Sequence, residues 1–246
     1  MSEDVSDQMN EHLVFITGES ATGKSASLQH IKNQERWMYL NCEAGKRLPF
    51  RNKFDSYTIT DPYEVYDAIK AASESADYDG VIIDTITFLM EMFETRYIVG
   101  SSDGQKAWGE YQQFFKRLMQ EYVAGSSKSF IFLAHTRTDY DEKALMNRTA
   151  VPIKGALKNN GLEAYFSTVV STKKIELKNL GEIDEALLHT TPQDETLGFK
   201  YVFQTQLTKS TLGERIRSPM GMFDPHQTYM DNDAQLLLDH LSAYYS

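Results

Sequence analysis

Cysteine is nearly absent: Cys42 is the only one in 246 residues, which excludes an intramolecular disulfide framework and a cysteine-built zinc site. The six histidines are scattered without metal-ligand spacing. Long apolar runs are missing as well. The longest, such as Leu13 to Ile16 and Phe130 to Ala134, have the length of a strand, far short of a bilayer span, so no transmembrane helix is expected. Met1 to Glu11 carries Glu3, Asp4, Asp7 and Glu11 with neither a basic region nor an apolar core, and it reads as an acidic flexible tail, not a secretory signal. A cytoplasmic location and no membrane partner follow. Basic charge is also scarce. Lys and Arg number 25 against 35 Asp and Glu, a net charge of −10, which excludes a surface that traps nucleic acid everywhere and leaves room only for local basic segments.

What is present is ordinary globular composition. Hydrophobic residues make up 41% and charged residues 24%, enough for one folded domain over residues 12–246. Acidic residues also gather in Gly181 to Gly198, where Glu182, Asp184, Glu185, Asp194 and Glu195 read as solvated. Strands are expected at Leu13 to Ile16, Trp37 to Asn41, Tyr57 to Thr60, Val81 to Asp84 and Ser129 to His135, with helical stretches between several of them. That alternation predicts an α/β fold, a mostly parallel sheet with helices on both faces. Asp61-Pro62 is placed to open a helix running to about Ser75. Tyr111, Phe114, Phe115, Leu118, Met119 and Tyr122 share one helical face and are assigned to packing. From Tyr165 the pattern becomes extended, Tyr165 to Ile175 and Phe199 to Leu207, forming a C-terminal antiparallel extension that ends in a helix from about Asp231 to Tyr245.

Gly18-Glu19-Ser20-Ala21-Thr22-Gly23-Lys24-Ser25 fits G-x-x-x-x-G-K-[ST], followed by Ala26 and a helical stretch to about Lys32. The glycines let backbone amides face phosphate oxygens, Lys24 neutralises the β and γ phosphates, and the Ser25 hydroxyl ligates Mg²⁺. Between strand and helix, the motif predicts binding of ATP with Mg²⁺. Val81-Ile82-Ile83-Asp84 is an apolar strand ending in a carboxylate, placed to hold Mg²⁺ through water. Thr85, not Glu, follows it, which argues against the base position of AAA+ helicase loaders. The strand after the phosphate loop instead ends Trp37-Met38-Tyr39-Leu40-Asn41-Cys42-Glu43, which resembles RecA-type ATPases, where a Glu at the end of this strand is the general base; the resemblance implies that role for Glu43.

With GESATGKS, the strand ending in Glu43, VIIDTITFL, FIFLAHTR and GALK…YFSTVVSTKKI, the chain resembles RecA-like P-loop ATPases from about His12 to Phe223. It is most similar to the compact bacteriophage versions, including the RecA-like branch of Sak-type single-strand annealing proteins. The resemblance implies that Phe50 stacks on adenine and that His135 senses the γ-phosphate. It implies DNA-binding loops at about Tyr97 to Lys106 and Arg137 to Lys158, the second offering Arg137, Lys143, Arg148, Lys154 and Lys158. It further implies that Lys209, Arg215 and Arg217 reach the nucleotide of a neighbouring subunit. The expected activity is Mg²⁺-dependent ATP hydrolysis on single-stranded DNA in phage recombination, annealing or replication. Self-association with nucleotide at the subunit interface, a phage single-strand binding protein as partner, and a host-cell cytoplasm as location go with it. Rival readings are a replicative helicase motor or loader, a P-loop small-molecule kinase, and a nucleotide-gated binding module.

Overall fold

The computed structural model describes residues 12–181, 183 and 186–246, so the acidic tail and Glu182, Asp184 and Glu185 lie outside the described residues. The strands in chain order are β1 (Leu13–Gly18), β2 (Trp37–Asn41), β3 (Asp55–Thr58), β4 (Gly80–Asp84), β5 (Ser129–His135), β6 (Arg137–Asp141), β7 (Met146–Ala150), β8 (Thr168–Glu176), β9 (Phe199–Gln204) and β10 (Tyr229–Asp231). All but β6 and β7 join one sheet in the order β10-β9-β8-β1-β5-β4-β2-β3. From β8 to β3 every pairing is parallel, and β9 and β10 close the other edge antiparallel, as the sequence predicts.

The central strands are apolar at consecutive positions because both of their faces are covered. Phe15, Met38, Leu40, Val81, Ile83, Phe130 and Phe132 point to one core, and Val14, Ile16, Tyr39, Ile82, Ile131 and Leu133 to the other. The first core is roofed by α1 (Glu64–Glu74), α2 (Ile86–Phe93) and α3 (Gly104–Arg117), which insert Ile69, Leu89, Phe93, Phe114 and Phe115. Tyr111, Leu118 and Met119 are buried in that layer, with Tyr122 packed against it. After the short helices α4 (Leu157–Asn160) and α5 (Pro192–Leu197), α6 (Ala234–Tyr245) covers the second core with Leu237 and Leu241. Asp233 caps α6 by accepting from the amides of Gln235 and Leu236.

Three expectations need correction. The helix after the phosphate loop is only a 3₁₀ turn, Ser25–His30, with the Ser27 hydroxyl donating to Lys24 O (2.6 Å) and Ile31 leaving in an extended conformation. The segment Arg137 to Lys158 is not a loop but begins as an antiparallel hairpin of β6 and β7. Of Tyr97 to Lys106, the first residues continue α2 as helix and the last open α3, leaving only a short link.

Beneath the hairpin, Glu163 is 2% exposed, accepting from the Val151 amide (3.0 Å) and from Arg215 Nη1 (2.9 Å). Arg215 also donates to Asn160 O. This pair fastens the segment after the hairpin to the stretch after β9. Arg215→Leu strands a buried carboxylate and should lower stability by about 2 kcal/mol, with Glu163→Gln in the same chain restoring part of it. Urea unfolding of the wild type and the two variants measures this; an unchanged midpoint for Arg215→Leu would show that the pair is not structural.

Candidate functional site

The carboxyl ends of the central strands deliver the site, the edge where open α/β sheets bind ligands. Register sets Gly18 opposite His135 and Asn41 opposite Asp84, so four neighbouring strands present the phosphate loop, His135, Asp84 and the Glu43 turn side by side. They line a cleft of about 230 Å³ with Ser20, Ala21, Gly23, Lys24, Ser25, Ala26, Tyr39, Lys46, Arg47, Leu48 and Pro49.

The loop is shaped by close approaches. A Cβ at Gly18 would lie 2.1 Å from Thr172 Oγ1, and Gly23 has φ +101° with Asn232 against it. Asn232 Nδ2 donates to Gly23 O (2.9 Å), and the Thr22 and Thr172 hydroxyls meet at 2.5 Å. Lys24 is 6% exposed and donates to the carbonyls of Gly18 (2.9 Å) and Glu19 (2.7 Å). Burial pulls its pKa down to about 8, although Asp84 and Glu43 favour its charge.

Asp84 is 2% exposed. Its Oδ2 accepts from the Tyr39 phenol (2.8 Å), while Oδ1 is buried with no hydrogen-bond partner. Burial raises the carboxyl's pKa, opposed by the Tyr39 bond and the Ser25 hydroxyl beside it. An orphaned carboxylate oxygen beside a serine hydroxyl fits a hydrated Mg²⁺ that takes most of its ligands from water and phosphate. Among the described residues no cluster of three or more His, Cys, Asp or Glu offers an all-protein cage.

Glu43 is held at both oxygens. Oε1 accepts from His135 Nε2 (3.2 Å) and Oε2 from Lys46 Nζ (2.7 Å), and the His135 bond leads the interactions that hold its pKa at about 2. The His135 amide donates to Thr87 Oγ1 (2.9 Å), which fixes the end of β5. Thr85 does not reach towards catalysis: its hydroxyl accepts from the Phe88 amide and caps α2. The Asp84–Thr85 peptide is cis.

Lys24, Ser25, Glu43, Asp84 and His135 are thus brought together in one chain. Phe50 packs against the second core, and Leu48 and Pro49 line the cleft in its place. Lys209 and Arg217 are exposed and outside the cleft, and Arg215 is bound to Glu163. Of the proposed DNA contacts, Arg137 pairs with Asp139, Arg148 with Asp141 and Lys154 with Glu94, while Lys143 and Lys158 have no carboxylate partner among the described residues. Tyr39, Arg47 and Asn232 carry no spacing that sequence reasoning could use; Lys46 has a signal, three residues after Glu43.

The AAA domain family profile matches residues 10–198, more than half of the chain. The chain belongs to this family. As an AAA domain protein it is a nucleotide-dependent ATPase. Among solved structures, the flagellar accessory protein FlaH from Methanocaldococcus jannaschii is similar, at 14% identity over 89% of this chain and 84% of that one, with a TM-score of 0.37. A search of curated proteins finds no match. Among the described residues no helix of this AAA domain protein is long and apolar enough to cross a membrane.

The lowered pKa of Lys24 gives a pH signature. Free protein loses the Lys24 proton above about 8, and phosphate oxygens raise that pKa, so binding above this pH takes up a proton. ATP affinity should be flat just below pH 8 and fall by up to about tenfold per unit above it. Titration of a fluorescent ATP analogue from pH 7 to 9.5 tests this; a slope unchanged by Lys24→Arg would remove Lys24 as its source.

Proposed function

We propose that this protein is a Mg²⁺-dependent ATPase that acts on single-stranded DNA in phage recombination, annealing or replication. The observation that carries the DNA part is the path from nucleotide to hairpin. The chain passes from His135 straight into β6, the Thr136 amide donates to Gly18 O (3.0 Å), and the Thr138 hydroxyl donates to Glu19 Oε1 (3.2 Å). A change at the phosphate loop is therefore felt by the hairpin. The phage role rests on the motif resemblance alone.

In this reading Lys24 holds the β and γ phosphates, and Ser25 and Asp84 would hold Mg²⁺, which would supply charge neutralisation at the phosphates. Glu43 orients and deprotonates the attacking water once Lys46 or His135 releases one of its oxygens. His135 donates to Glu43 in the resting site and passes to the γ-phosphate when nucleotide is bound. Among the described residues Lys24, Lys46 and Arg47 bring Lys or Arg charge to the cleft; in this reading subunits associate with nucleotide between them, and Lys209 or Arg217 adds charge to a neighbour's site. Arg215 is left to its structural role with Glu163.

DNA meets the protein along the groove lined by Arg137, Arg148, Lys154 and Lys158, with Lys143 at the hairpin turn. Contacts of this kind are charge-driven and salt-dependent. A kinase reading has one observation in its favour, a second cavity of about 730 Å³ on the far side of Glu43 and His135, lined also by Phe88, Met92 and Thr95. Appearance of the γ-phosphate as inorganic phosphate, with no acceptor added, decides for hydrolysis.

Two outcomes are expected. Glu43→Gln should bind ATP normally and release phosphate about 10²- to 10⁴-fold more slowly; normal turnover would displace Glu43 as the base. Lys143→Glu with Lys158→Glu should weaken single-stranded DNA binding and reduce the slope of log affinity against log salt by about 1 to 2. Fluorescence anisotropy with a labelled oligonucleotide, with and without Mg-ATP, measures it. Wild-type affinity in the double variant rejects this surface, and absence of any DNA binding by the wild type rejects the DNA reading.

A further inference from the structure

Asp84 is a buried carboxylate whose two oxygens have different fates. Tyr39 lies two residues before the end of β2, and Asp84 ends the neighbouring strand β4. The register pairs Tyr39 with Ile82 and Asn41 with Asp84, so the phenol reaches up along the sheet to the carboxylate from below. Its ring is fixed by packing: Tyr39 is 4% exposed and its ring lies 5.9 Å from that of Phe54, interplanar angle 21°. The hydroxyl donates to Oδ2 at 2.8 Å. Oδ1 remains buried and unpartnered, a costly arrangement unless something satisfies it. Packing alone accounts for a phenylalanine at this position, but not for a phenol aimed at the one carboxylate of the cleft with an unpartnered oxygen.

We propose that Tyr39 is a positioning residue for the cation site, holding Oδ2 so that Oδ1 faces the place of Mg²⁺ and its water. This rests on the reading of the cleft as a Mg-nucleotide site. Groups that hydrogen-bond a metal-ligating carboxylate fix its orientation, and their loss costs about 10- to 100-fold in metal affinity. The Tyr39 hydroxyl already gives its proton to Asp84 Oδ2, which leaves none for a phosphate oxygen. The effect is confined to the cation.

The test compares wild type with Tyr39→Phe, which removes one oxygen atom and keeps the ring. A fluorescent ATP analogue is titrated first in chelator, then at rising Mg²⁺, and Mn²⁺ binding to the nucleotide complex is followed by electron paramagnetic resonance. The two proteins should bind nucleotide alike in chelator, while Tyr39→Phe needs about tenfold more Mg²⁺ for half of the affinity gain and binds Mn²⁺ correspondingly weakly. Coincident Mg²⁺ and Mn²⁺ curves overturn the proposal and leave the nucleotide site standing. A wild type that binds no nucleotide at any Mg²⁺ concentration overturns the site itself. Should Tyr39→Phe not fold, 3-fluorotyrosine placed at position 39 keeps the hydroxyl. Its ¹⁹F resonance should then move when Mg²⁺ joins the nucleotide complex, and a resonance that stays in place overturns the proposal.

Discussion

The pairing of β1 with β5 is the constraint on which the site depends. It sets Gly18 against His135, and through β4 and β2 it passes the same level to Asp84 and Asn41. A parallel sheet with both faces buried allows little slippage, because a shift of one residue would exchange its two cores. Phe15 and Phe132 would change places with Ile16 and Leu133, and neither layer of helices would fit. The helices thereby hold the cleft residues in register, and α2 also reaches one of them directly, through the Thr87 hydroxyl on the His135 amide.

Charge in the empty cleft is balanced within the protein. Lys24 sits on loop carbonyls, Glu43 is shared between His135 and Lys46, and Asp84 leans on Tyr39. In the proposed reading each of these groups exchanges a protein partner for a ligand when nucleotide binds. The bonds at Glu43 and the hairpin are neighbours, because His135 and Thr136 are consecutive and Thr136 is bonded to the loop.

The phosphate loop, the strand ending in Asp84 and the alternation of strand and helix were legible in the sequence because their spacing is fixed by the backbone. Glu43 was legible because it closes a strand that a parallel sheet must place next to the site. Tyr39 was not, since the strand Trp37–Asn41 is apolar on both faces and gives no sign of which side meets Asp84. The hairpin escaped notice because Arg137–Asp141 and Met146–Ala150 face solvent and lack the apolar alternation that marks a half-buried strand. The turn at Ser25–His30 was read as a longer helix because composition does not register the Ser27 hydroxyl competing for Lys24 O. The resemblance alone suggested Phe50 as an adenine-stacking aromatic; it is partly buried and packs against the second core, as Leu48 does.

The hydrogen bond from Asn232 to Gly23 O joins residues 209 apart and lies beyond the stretch matched by the family profile. It gives the molecule an order of assembly in time. The phosphate loop is made early on the ribosome, but its strand waits for β5 and β8 on either side, and its carbonyl waits for Asn232. At about 5–20 residues per second, roughly 10–40 s separate the synthesis of Gly23 from that of Asn232. During that interval β1 is an apolar strand with two open edges, the kind of segment that chaperones shield. The residues that line the cleft, Ser20 to His135, are thus all made well before the side chain that braces the loop from behind.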